Sequence, residues 1–227
     1  MCNPNTLASL HAARLIANHA KAGGMPQTAM PNREPFTHMG AILCDAVLQA
    51  GLNYRTVVAK RTRRVIEQFP YANDLAGVRL ALARHGAEFF LDWKHAEKVK
   101  RFNDLVQFLE CESVASVEGL RNWMSLPHAR SHMQSVRGVG PKTFDYMACL
   151  IGIERIAIDR HLRKFAFSAG VEDGDYDSLY RSFALAADLL RVRRSHLDWW
   201  VWTLVSTQAH RRHLPELAFN QHNFVTN

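Results

Sequence analysis

Ser135-Val136-Arg137-Gly138-Val139-Gly140-Pro141-Lys142-Thr143 is the stretch that decides the fold, because it sets a tight turn between two helical segments. Gly138 and Gly140 can adopt backbone conformations that other residues avoid, and Pro141 suits the first position of a helix. The free N–H groups of such a turn, with the positive end of the next helix, form a site for an anion. We therefore predict a helical hairpin over about residues 128–152 whose turn binds a phosphate through Gly138, Val139, Gly140 and Thr143. An ordinary hairpin capped by glycine is the alternative that these residues alone leave open.

A second informative stretch follows the hairpin, Ile156-Ala157-Ile158-Asp159-Arg160-His161-Leu162-Arg163-Lys164. A short apolar run delivers Asp159 to the start of a new helix. One interpretation is an ordinary N-cap, a position that favours aspartate. The other is a carboxylate in a cleft beside a phosphodiester, kept ionised by the helix N-terminus. Both can hold, because a capping carboxylate can present its second oxygen to a ligand.

The rest of the chain is dominated by helical periodicity. Apolar residues recur every three or four positions, and no convincing strand alternation is present. The sequence therefore predicts an all-α fold. Glycine and proline divide the predicted helices, which fall near residues 5–21, 36–50, 54–69, 74–86, 93–111, 117–124, 127–136, 141–151, 159–168, 177–190 and 195–208.

Charge and composition bound the function. The 227 residues include 28 Lys and Arg against 21 acidic residues, a net charge of +7, which favours a polyanionic partner. The longest apolar stretch, residues 199–205, is far shorter than the roughly 20 residues that span a bilayer, so no membrane partner is expected. The N-terminus lacks the layout of a signal peptide, which predicts a cytoplasmic protein, nucleoid-associated if the source is bacterial.

The four cysteines, at positions 2, 44, 111 and 149, carry no metal-ligand spacing and no Cys-x-x-Cys motif. Free thiols in a reducing compartment are the simplest interpretation. We therefore predict no metal site, no disulfide framework and no cofactor.

The hairpin and the aspartate, in this order, resemble the helix-hairpin-helix DNA glycosylase superfamily, of which endonuclease III is one member. That family combines a Gly-x-Gly hairpin with a later apolar stretch ending in Asp, often followed by x-His, as in Asp159-Arg160-His161. Members that also cleave the strand carry a lysine two residues after the second hairpin glycine, where Lys142 stands. Lys142 precedes Asp159 by 17 residues, close to the family's separation. The resemblance covers about residues 36–205.

The resemblance implies a two-lobed helical fold with a cleft between the lobes. One lobe is expected over residues 36–154 and contains the hairpin. The other is expected to gather residues 1–35 and 155–227. Lys142 and Asp159 would then face each other across the cleft.

Three departures from the pattern affect details of this resemblance. Endonuclease III and its close relatives hold an iron–sulfur cluster on C-terminal cysteines, and this chain has none after Cys149. Gly51 stands where endonuclease III has the glutamine that fills the gap left by an extruded base. The segment 49–54 looks locally like 3-methyladenine DNA glycosylase I, whose base-binding glutamate would fall at Ala46, beside Asp45. The residues that could form a wedge or line the base pocket are Gln49, Asn53, Leu91 and Trp93.

The activity that the resemblance implies is cleavage of an N-glycosidic bond in double-stranded DNA that contains a damaged base or an abasic site, by a monomer. Asp159 would stabilise the positive charge that develops on the sugar. His161, Arg160 and Arg163 would support it by hydrogen bonding or by contacting DNA. The amine of Lys142 would form a Schiff base and then cleave the strand by β-elimination.

Two other functions remain open at this point. In a monofunctional glycosylase, for instance one for alkylated bases, Asp159 would assist a water molecule and Lys142 would only contact phosphate. In a non-catalytic DNA-binding protein, the hairpin would serve binding alone, and Asp159 would be only a helix cap.

Overall fold

The computed structural model describes residues 4–26 and 34–211, and within these ranges the chain is all helical with no β-strand. The predicted all-α class is confirmed. The helices are α1 (Pro4–Ala22), α2 (Met39–Leu48), α3 (Ala59–Gln68), α4 (Leu75–Leu91), α5 (Ala96–Cys111), α6 (Val117–Met124), α7 (Ala129–Met133), α8 (Pro141–Leu150), α9 (Arg160–Ser168), α10 (Tyr176–Leu190) and α11 (Arg194–Arg211). None of these helices is long and apolar enough to cross a membrane.

The buried apolar side chains form two separate cores. The first draws only on residues between Met39 and Ile151, and its largest members, including Phe90 and Phe102, are fully buried. The second combines residues 13–25 with residues 156–205, because α1 packs against α10. This separation supports the division at about residues 36 and 154, which we retain as a proposal.

Two helices differ from their predicted extents for local reasons. The predicted helix 54–69 opens with a π-helical turn, Tyr54–Val58, that Asn53 begins by accepting a hydrogen bond from Thr56 N at 3.0 Å. The predicted helix 74–86 continues as α4 to Leu91, because Gly86 adopts φ +77° and kinks the helix without ending it.

Side chains from both cores meet behind the hairpin. The buried carboxylate of Asp145 in α8 accepts hydrogen bonds from Tyr176 Oη at 2.8 Å and from Arg155 Nη1 at 3.4 Å. The same Tyr176 oxygen accepts the backbone N–H of Ile158 at 3.3 Å. Arg130 in α7 pairs with Asp177 in α10 at 2.7 Å. These contacts fix the segment that leads to Asp159 against the helix that carries Lys142.

Candidate active site

The hairpin turn lies between α7 and α8 and exposes backbone donors. Gly138 adopts φ +84°, a conformation that favours glycine, whereas Gly140 is extended at φ −95° and ψ −180°. The N–H of Val139 donates to Val136 O at 2.9 Å, but those of Gly138 and Gly140 have no acceptor among the described residues. The turn therefore offers two free N–H groups beside the N-terminus of α8, as an anion site requires.

The other two predicted phosphate contacts serve the hairpin itself. Val139 and Thr143 are buried, and the N–H of Thr143 donates to Gly140 O at 3.0 Å. Their backbone donors are thus used internally, and the free donors belong to the two glycines. Arg101, which the sequence analysis missed, reaches the turn from α5 and donates to Arg137 O at 3.4 Å. A Cβ at position 138 would overlap its guanidinium.

Lys142 is the second residue of α8 and is half-buried. Its Nζ donates to Oε1 of Gln49, the residue that directly follows α2, and lies 5.8 Å from the centre of the Tyr146 ring. Burial lowers the pKa of Lys142, and the charges of Asp159 and Asp198 oppose that shift. The amine is therefore closer to its neutral form at physiological pH than an exposed lysine would be.

Asp159 caps α9 and is held by its own helix. Its Oδ1 accepts from His161 N at 2.7 Å and from Leu162 N at 3.1 Å, while Oδ2 lies 2.8 Å from His161 Nδ1. Burial alone would raise the pKa of Asp159, but the hydrogen bonds from His161 and Leu162 and the charge of Lys142 outweigh it and lower that pKa. Asp159 is consequently both an N-cap and an ionised carboxylate.

A buried carboxylate with two tyrosines lies in the first core beside Lys142. Asp45 is fully buried in α2 and accepts from Tyr146 Oη at 2.7 Å and Tyr54 Oη at 3.5 Å. The Tyr54 ring meets Trp202 of α11 edge-on at 6.2 Å, and Trp202 meets His161 at 6.0 Å. These aromatic rings connect the two cores at the site. The sequence signal that could have identified Asp45 is its place as the only acid in an apolar helix.

Asp198 in α11 was also missed by the sequence analysis. Its Oδ2 accepts the backbone N–H of Ala157, two residues before Asp159, at 2.8 Å. Burial raises the pKa of Asp198 to about 7, the hydrogen bond from Ala157 opposes this, and Asp159 adds to it. Its signal in the sequence was faint: a single acid among the tryptophans of α11.

Lys98 in α5 closes the end of α2. Its Nζ donates to Ala50 O at 2.8 Å, Val47 O at 3.1 Å and Leu48 O at 3.5 Å, the last carbonyls of that helix and its exit. Burial, with the charges of Arg101 and Lys142, lowers the pKa of Lys98 to about 8. Lys98 thereby fixes the backbone from which Gln49 reaches Lys142.

The four candidates for a wedge or pocket residue fall in different places. Gln49 lies in the site, bonded to Lys142. Asn53 is exposed and holds the π-helical turn. Leu91 is fully buried in the first core, away from the surface that a wedge into DNA would need. Trp93 is half-buried against the same core, with the Arg61 guanidinium 4.8 Å from its ring centre.

The three supporting residues also separate. His161 contacts Asp159 directly. Arg160 is exposed at the start of α9, close enough for its charge to lower the pKa of Lys142. Arg163 pairs with Asp173 and donates to Gly174 O at 2.9 Å, so it anchors a loop. In the described part of the chain, no group of three or more His, Cys, Asp or Glu side chains could hold a metal ion.

Comparison with known proteins gives a likeness in structure without one in sequence. The chain matches no protein-family model, and no curated protein matches it. Among solved structures it is similar to the H. pylori 3-methyladenine DNA glycosylase MagIII bound to 1,N6-ethenoadenine, with a TM-score of 0.51 and 15% identity. The match covers 91% of this chain and 99% of that one. At this identity the likeness establishes the fold: the chain shares the helical fold of a DNA glycosylase.

Proposed function

We propose that this chain is a base-excision DNA glycosylase that acts on double-stranded DNA. The observation that carries the proposal is one ionised carboxylate, Asp159, close to the half-buried Lys142, which directly follows a hairpin with free N–H donors. The shared fold and the net charge of +7 support it.

The geometry supports a division of labour around the glycosidic bond. The turn at Gly138 and Gly140 would hold a phosphate of the damaged strand. Extrusion of the base costs a few kcal/mol, least for a damaged or mismatched base. Asp159 would then stabilise the oxocarbenium-like sugar, because a fixed negative charge acts strongly where water is excluded. Its bonds to His161 and Leu162 keep it ionised and oriented for this role.

Two nucleophiles fit this arrangement. A water molecule steered by Asp159 would give a monofunctional glycosylase. The structural likeness to a 3-methyladenine DNA glycosylase supports alkylated bases as the substrates in that case. Lys142 would instead give an abasic-site lyase, and its lowered pKa is the specific observation in favour. We propose base excision as the function and the lyase step as a second candidate.

The deciding experiment uses two duplex substrates. Base release is measured from DNA with one 1,N6-ethenoadenine or 3-methyladenine, and borohydride trapping is measured on DNA with one abasic site. Asp159→Asn should abolish release while DNA binding persists; unchanged release would exclude Asp159 as the catalytic carboxylate, and no release by the wild type would leave only a binding protein. Lys142→Ala should abolish trapping if Lys142 is the nucleophile, and the exposed Lys164→Ala is its matched control. Release without trapping would assign the monofunctional activity.

A further inference from the structure

We propose that Asp198 is a positioning residue of the active site, which holds the backbone leading to Asp159 and adds a third charge to the Asp159–Lys142 pair. The inference rests on the proposed function for its kinetic readout. No motif of the sequence singled out this residue, and its role follows from the way α11 packs against α9.

The backbone before Asp159 is not helical, so its polar groups need partners from elsewhere. Two successive N–H groups receive side-chain acceptors: Ala157 donates to Asp198 Oδ2 at 2.8 Å, and Ile158 donates to Tyr176 Oη at 3.3 Å. Both donors are buried, so neither has water as a substitute. A carboxylate from α11 and a hydroxyl from α10 therefore determine where Asp159 enters the site.

The charges around Asp198 are unbalanced. From α8 it is faced by Lys142, Asp145 and the Cys149 thiol, and from α9 by Asp159. Lys142 is the one cation among these four groups, and the two aspartates oppose ionisation of Asp198. Together with burial they bring the pKa of Asp198 to about 7. Asp198 thus changes charge near neutral pH, whereas the lowered pKa of Asp159 keeps that group ionised.

The charge state of Asp198 acts on both partners. An ionised Asp198 stabilises the ammonium form of Lys142 and adds negative charge beside Asp159. A neutral Asp198 removes both effects while its oxygen still accepts the Ala157 N–H. The rate of the proposed reaction should therefore show a limb near pH 7 that belongs to Asp198, in addition to those of the reacting groups.

Two substitutions separate the hydrogen bond that Asp198 accepts from Ala157 from the charge that Asp198 carries. Asp198→Asn keeps an oxygen acceptor for Ala157 and removes the charge, so single-turnover base release should remain but lose the limb near pH 7. Asp198→Leu removes the acceptor as well, and release should fall on the order of 10–100-fold at every pH, because misplacement by about 1 Å has that effect. Asp188→Asn, which makes the same change at an exposed site of α10, is the control and should leave the profile unchanged.

Two readouts do not depend on activity. Hydrogen exchange of the Ala157 amide should stay slow in wild type and Asp198→Asn and become fast in Asp198→Leu. Because the pKa of Asp198 is raised in the folded state, its contribution to stability is present below about pH 4 and is lost as the pH rises to about 7. Wild type should show this slope in unfolding free energy, and Asp198→Asn should not.

The outcomes are distinct. If wild type releases no base, the proposed function fails, while exchange and unfolding still decide the role of Asp198. If the Ala157 amide exchanged as slowly in Asp198→Leu as in wild type, the positioning role would be overturned. The role of the charge would be overturned if the free energy of unfolding had the same pH slope in wild type and Asp198→Asn. It would also be overturned if base release by Asp198→Asn kept its limb near pH 7.

Discussion

The amide oxygen of Gln49 accepts a hydrogen bond from the ammonium of Lys142, although 93 positions separate the two residues. An ammonium can only donate, so this bond fixes the orientation of the amide and turns Nε2 away. That nitrogen is buried and has no acceptor among the described residues. Lys142 is thus held by a neutral group and makes no direct ion pair within the described structure, while Asp159 bonds to its own helix.

Changing this neutral acceptor should shift the pKa of Lys142 in opposite directions. Gln49→Glu creates an ion pair and should raise that pKa. Gln49→Leu leaves the ammonium half-buried without its acceptor and should lower it. NMR titration of isotopically dimethylated lysines measures both directly, with Lys142→Arg used to assign the signal. Shifts of the same sign in both variants would contradict the prediction.

Substituting the two hairpin glycines by alanine should have different effects on stability and the same effect on DNA binding. Gly138→Ala forces a side chain to φ +84° and should cost about 1–2 kcal/mol, whereas Gly140→Ala has an ordinary φ and open space and should cost almost nothing. Thermal unfolding measures this, at about 2–4 °C per kcal/mol for this size. Both methyl groups should weaken duplex binding, because they cover the free N–H groups. Equal destabilisation would show that the turn has another conformation.

The two roles of Asp159 can be separated. Asn caps a helix as well as Asp but loses the stabilising charge, so Asp159→Asn should lower Tm less than Asp159→Ala, which also loses the cap and about 0.5–2 kcal/mol with it. Both should slow base release at least 100-fold, because neither supplies a negative charge. Unfolding and single-turnover assays on the same samples test this. Activity in either variant would assign the charge to another group.

Lys98 should contribute a pH dependence of its own. Its pKa is lowered to about 8 in the folded protein from 10.5 in the unfolded chain, so the unfolded state binds more protons between these values. The unfolding free energy of wild type should therefore rise relative to Lys98→Met as the pH increases from 8 to 10.5. Lys100→Met, on the exposed face of the same helix, is the control. A flat difference between wild type and Lys98→Met would mean that the Lys98 ammonium is solvated.

The sequence predicted what local chemistry determines. Helical periodicity located the helices, and the hairpin glycines and the capping Asp159 indicated the two halves of the candidate site, because their signals lie within a few residues. The π-helical turn at Tyr54 and the continuation of α4 past Gly86 were missed, since helical periodicity does not distinguish a π-helical turn and a glycine can kink a helix without ending it.

The contacts that tune the site could not be predicted in this way. Gln49 meets Lys142, and Asp198 meets Ala157, only because the two cores pack together. Nothing in the neighbouring residues of either pair indicates its partner. The burial of Leu91 was equally hidden, because it depends on how α4 packs in the first core after the kink at Gly86.

The division of the cores has a consequence for biosynthesis. The first core draws on one uninterrupted stretch, but within the described ranges the apolar face of α1, with Ala13, Ile16 and Ala20, is covered by helices near the other end of the chain. At about 5–20 residues per second, α1 waits roughly 8–30 s between leaving the ribosome and the appearance of α10. During this interval the apolar face of α1 lacks the helices that cover it in the folded protein. We expect α1 to be the segment of the nascent chain that chaperones bind.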